Sequence, residues 1–148
     1  MRVSRRGRYA LRAMVDLARR QDCEPVHGAD IAASQGISDP YLAQLFSSLA
    51  RNGLVASQRG PGGGYALARP ASEITPGDVM RAVGEELEPV VCASGAPEDA
   101  CSRYADCTAR ALWERLGRAI SEALDSVSLA DLAMGGIDSD HLLESRVE

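Results

Sequence analysis

Residues 36–69 read GISDPYLAQLFSSLARNGLVASQRGPGGGYALAR. Gly36 stands where a helix ends, because a residue without Cβ takes the left-handed backbone that closes one at little cost. Asp39 followed by Pro40 is a helix start, with Asp39 as cap and Pro40 at the first helical position. The helix that follows, to about Arg51, is expected to bury Leu42, Leu45, Phe46 and Leu49 and to turn Gln44, Ser47, Ser48 and Arg51 outward. Asn52-Gly53 ends it. LVASQ is short and apolar enough to be a strand, and GYALAR reads as its partner, so the glycine-rich stretch between them is a hairpin tip. A further short helix is expected just upstream, around Ala29 to Gln35. Two short helices joined by GIS, with a hairpin directly after the second, read as a winged helix-turn-helix.

The glycine loop has two other readings, and both fail. A Walker-type phosphate loop needs a lysine and a Ser or Thr after its last glycine, but Tyr65 follows Gly64 and the chain has no lysine. A dinucleotide fingerprint needs a helix after the glycines, whereas YALAR alternates like a strand and is cut off by Pro70. As a wing, Gly60 and Gly62 allow close backbone approach, Pro61 stiffens the tip, and Arg59 offers a guanidinium to phosphates or a narrow minor groove. The helix from Pro40 to Arg51 is then the recognition helix. Tyr41, Gln44, Ser47 and Ser48 can hydrogen-bond base edges, Gln44 suiting an adenine, and Arg51 completes the outward face. Each of these is an ordinary solvated residue taken singly, and an unliganded hairpin is the plain alternative for the loop. The set of features together carries the reading.

Charge is divided along the chain in the same sense. Residues 1–70 hold ten arginines against five acids, and residues 71–148 hold six against sixteen. A basic amino-terminal half suits contact with a polyanion, with the acidic remainder turned away. Ser4 caps a first helix over about residues 5 to 20, with Leu11, Met14, Val15 and Ala18 as its apolar stripe. No apolar run approaches bilayer-spanning length, so a soluble, cytoplasmic protein is expected. An enzyme is not, since no Ser/His/Asp set, metal-hydrolase motif or acid pair stands out and the histidines are His27 and His141.

The expected fold is mainly α with a small β-hairpin: a winged helix-turn-helix DNA-binding domain over residues 1–83, followed by a cysteine-containing loop over 84–107. Residues 108–133 are expected to form a long dimerisation helix and a short following helix, and 134–148 a polar tail. Thr75 to Val83 reads as a short helix closing the first unit. Trp113, Leu116, Ile120, Leu124 and Val127 recur every three or four residues along Thr108 to about Val127, a stripe suited to a helix from a second subunit. Cys92, Cys101 and Cys107 fall in the loop, in a composition with little reason to order unless something binds it. Thiolates suit iron-sulfur clusters, copper(I) or zinc, and free thiols in a flexible loop are the alternative. Cys23 reads as a free thiol.

MRVSRRGRYALRAMVDLA, the stretch from Gly36 to Leu67, and CTARALWERL resemble the IscR-type winged helix-turn-helix regulators, which include the nitric oxide sensor NsrR. The resemblance covers about residues 1 to 133. It implies a homodimeric transcription regulator, with a repressor among the expected modes, that binds double-stranded promoter DNA and holds an iron-sulfur cluster through Cys92, Cys101 and Cys107. It favours 2Fe–2S over 4Fe–4S. Where relatives complete the cluster with a histidine or an acidic residue, this chain has Arg110 and Arg8. The fourth ligand is left open among Glu98, Asp99, Asp106, His27, Cys23 and an external thiol. A cluster-free or zinc-binding regulator of the same fold, acting through a protein partner, is the second reading.

Overall fold

The computed structural model describes residues 2–20, 25–93 and 101–136. Helix α1, Arg5–Arg19, starts at Ser4, whose hydroxyl accepts from the Gly7 amide at 3.0 Å. The Ser4 amide and hydroxyl donate in turn to the Glu85 carboxylate, which fastens the start of α1 to the segment after residue 84. Ala10, Ala13, Met14, Leu17 and Ala18 form its buried face, so the expected stripe is displaced: Leu11 and Val15 lie at the half-buried edge. The cause is the central position of α1, which the other helices of the first unit surround and which its small alanines let them approach.

Helix α2, Gly28–Gln35, ends at Gly36 with φ of 65°. Helix α3, Asp39–Arg51, is capped by Ser38 and not by Asp39. The Ser38 hydroxyl accepts from the Tyr41 amide at 3.4 Å, which places Asp39 in the first turn, where a carboxylate suits the helix dipole. Leu42, Leu45, Phe46 and Leu49 enter the core as expected. Strands β1, Val55–Gln58, and β2, Gly64–Leu67, pair antiparallel with Val55 opposite Leu67 and Gln58 opposite Gly64.

Helix α4, Pro76–Ala82, carries a capping box between Thr75 and Asp78. Helix α5, Arg110–Asp125, starts two residues later than expected, because a turn occupies 108–109 and the Ala109 methyl cannot accept a capping hydrogen bond. No side chain of α5 is fully buried, and Leu112 and Leu116 are 58% and 41% exposed. Helix α6, Leu129–Ala133, is a separate short helix after α5. Ser128 and Asp131 cap it, and it packs back on α1, with Leu129 fully buried and its amide donating to the Ile74 carbonyl at 2.8 Å. The return of the chain to the core at α6 anchors the carboxy-terminal end of α5. Among the described residues no helix is long and apolar enough to cross a membrane.

Candidate nucleic-acid interface and thiol loop

Along α3 the exposed residues after Asp39 and Pro40 in its first turn are Ala43, Gln44, Ser47 and Arg51, so three of the expected recognition residues share an open face. Tyr41 is half-buried, its ring edge-on to Tyr9 with centroids 6.2 Å apart, and Arg12 lies over the Tyr9 ring at 5.5 Å. Ser48 departs from expectation. It is buried, and its hydroxyl accepts from Arg6 at 3.1 Å and from Arg51 at 3.3 Å. A serine at the margin of the apolar stripe gives no periodicity signal for this. Arg6 was not singled out by sequence, although it stands among the arginines that open the chain.

Arg59, Gly60, Pro61 and Gly62 are all exposed at the tip of the hairpin. Gly60 and Gly62 have φ of 97° and 74°, a backbone that L side chains rarely adopt, and the Gly63 amide closes the tip on the Gly60 carbonyl at 2.9 Å. The base of the hairpin is fixed. Tyr65 exchanges backbone hydrogen bonds with Val26 at 2.9 and 2.8 Å, and its ring meets Phe46 of α3 edge-on at 4.6 Å. The hairpin is therefore packed on α3 through Phe46, and the two form one unit.

Cys92 lies in a short 3₁₀ turn, Val91–Ala93, Cys101 opens the turns at 102–106, and Cys107 precedes α5. All three are half-buried and none is in a disulfide. This donor set fits a thiophilic metal centre in its chemistry. Among the described residues, however, no three His, Cys, Asp or Glu side chains converge as a metal site. Arg110 is committed elsewhere: it donates to the Tyr104 carbonyl at 3.2 Å, stacks over the Tyr104 ring at 4.8 Å and pairs with Glu114 at 3.4 Å. It ties the turns between Cys101 and Cys107 to α5. Asp106 and His27 are exposed, and Arg8 is exposed on α1. Cys23, Glu98, Asp99, His141 and the tail beyond 136 lie outside the described residues.

A helix-turn-helix whose second helix has an open polar face, flanked by a glycine-tipped hairpin, defines a winged-helix DNA-binding transcription regulator. The sequence profile of Rrf2, described as an iron-dependent transcriptional regulator, matches residues 3–135, and the chain belongs to that family. It is 46% identical over 132 residues to the HTH-type transcriptional regulator IscR of Serratia proteamaculans (strain 568), covering 89% of this chain and 79% of that protein. Among solved structures it is similar to CymR (YrzC), the global cysteine regulator of B. subtilis, with 36% identity, a TM-score of 0.72, and 93% and 99% of the two chains covered. It is also similar to T. potens IscR, with 34% identity, a TM-score of 0.71, and 100% and 93% covered. The chain is a transcription regulator and not an enzyme.

Proposed function

We propose that the protein is a homodimeric regulator whose affinity for promoter DNA is set by an iron-sulfur cluster held by Cys92, Cys101 and Cys107. The observation that carries this is where the thiols stand. Cys92 follows the winged unit and Cys107 stands three residues before α5, so one group held by all three would tie the DNA-binding unit to the helix proposed to join two subunits. When bound, a cluster supplies a centre that responds to oxidants, nitric oxide or iron supply. The residues do the rest. The thiols draw residue 92 toward 101–107, Arg110 transmits the position of that turn to α5 through Tyr104 and Glu114, and α3 and the wing present Gln44, Ser47, Arg51 and Arg59 to the duplex. Tyr41 acts at the start of α3, half-covered by Tyr9. The exposed leucines Leu112 and Leu116 are the surface proposed to pack against a second copy.

The uncommitted arrangement of the three thiols favours a second reading, in which a regulator of this fold works without a cluster, or with zinc, through a protein partner. Anaerobic purification with metal analysis separates the two. Iron with acid-labile sulfide in the wild type, lost in Cys92→Ala, Cys101→Ala and Cys107→Ala but kept in Cys23→Ala, supports the cluster. Stoichiometric zinc, or no metal, supports the alternative.

A further inference from the structure

Arg6 and Arg51 come from different helices and bring their guanidinium groups to one oxygen, the hydroxyl of Ser48. Ser48 is buried, so that oxygen is a fixed point, while both arginines are exposed. Two like charges gathered on a neutral acceptor repel each other. Among the described residues neither has a carboxylate partner, the ion-paired arginines being Arg20, Arg69, Arg81 and Arg110. Glu85, which lines the same cleft as Arg6, accepts from the Ser4 amide and hydroxyl rather than from a guanidinium. Arg6 also stands in the first turn of α1, which holds no acidic residue, and a cation there opposes the helix dipole. Among the described residues no ion pair therefore closes on either guanidinium, although Glu85, Glu86 and Glu88 line the same cleft as Arg6.

An anion with several acceptor oxygens answers that arrangement, since each guanidinium offers parallel N–H donors. Its location says which anion. Arg51 follows Gln44 by seven residues and Ser47 by four, so the three share one side of α3, and an anion at the arginine pair lies beside whatever that side faces. We propose that Arg6 and Arg51 jointly clamp one backbone phosphate of the bound duplex, with Ser48 as the positioning residue that holds both. The clamp rests on the reading of α3 as the recognition helix and adds to it a contact from α1. Fixing one phosphate at the end of α3 from two helices sets the depth and register of α3 without reading a base.

The test uses the full-length protein and a duplex that the wild type selects from a random-sequence pool. Arg6→Ala and Arg51→Ala are each expected to weaken binding about tenfold, on selected and unselected duplexes alike. The slope of log affinity against log salt should fall by about one unit in each variant and by no more in the double variant, because one phosphate is shared. In a scan of neutral methylphosphonate substitutions, one position per half-site should reproduce the loss in the wild type and cost neither variant anything further. Ser48→Ala, checked for an intact thermal transition, should remove the non-additivity between the two arginine changes while leaving base preference as it was. Unchanged binding by Arg6→Ala, or a scan assigning the two arginines to different phosphates, overturns the clamp. A wild type that binds no duplex overturns the recognition-helix reading itself, which separates the two failures.

Discussion

Gly77 of α4 and Asp125 at the end of α5 stand so close that a Cβ on Gly77 would fall 1.9 Å from Asp125 Oδ1. The carboxylate is held there by Thr75 Oγ1 at 3.0 Å and by Arg81, whose two terminal nitrogens donate to it at 2.8 and 3.1 Å. Arg81 also donates to Asp78, which Arg69 at the foot of the hairpin approaches at 3.5 Å. This network fastens α5 to the winged unit. Alanine is favoured over glycine within a helix by about 1 kcal/mol, but at position 77 it expels a carboxylate with three hydrogen bonds. Gly77→Ala is expected to be destabilising by about 1 kcal/mol net. Asp125→Asn should add nothing in that background, as a double-mutant cycle by urea unfolding will show.

Acid should loosen the same network. The hydrogen bonds from Arg81 hold the Asp125 carboxyl below the ordinary aspartate value, against the opposing effect of burial. Burial pushes Asp78 upward, but the Thr75 amide, Arg81 and Arg69 outweigh it, and its value too is lowered. A carboxyl whose pKa is lower in the folded than in the unfolded chain contributes stability above the unfolded value and loses it as pH falls through the folded one. Urea midpoints should therefore drop as pH falls below about 4. Asp125→Asn should show a shallower drop, small in size because these groups are partly exposed and screened.

At Gly64 the neighbour is backbone. A Cβ there would lie 2.2 Å from the Val26 carbonyl oxygen, which accepts the Tyr65 amide at 2.8 Å. Gly64→Ala has to open that pairing and lift the hairpin from its seat, so a loss of about 2–3 kcal/mol is expected. Chemical denaturation measures it, and DNA affinity should fall with it if the hairpin is the wing.

Replacing Leu116 and Ile120 together by Glu should convert a dimer into a folded monomer, because α5 contributes no fully buried side chain to its own subunit. Sedimentation with circular dichroism reads both properties. A wild type that sediments as a monomer at micromolar concentration contradicts the assignment of this face.

The helix-turn-helix was legible because its boundaries are written in local chemistry: Gly36, Pro40, and Asn52 with Gly53 act within a few residues of where they stand. The shift from Asp39 to Ser38 as cap came from two adjacent residues that can both cap. What depends on distant pairing was not legible. Asp125 meets Thr75 across 50 residues, Arg6 meets Ser48 across 42, and α6 rejoins α1 through Leu129, with no repeating pattern to announce any of them. The three cysteines were visible as residue types, yet their spacing in sequence does not bring them together among the described residues.

The most direct test of the account is the affinity of one anaerobically purified preparation for a selected duplex, measured before and after its cluster is removed. The account predicts a change of at least about fivefold, the lower end of ordinary coupling between two sites, and no such change in Cys92→Ala. Identical affinity of the two forms on every duplex selected would contradict it.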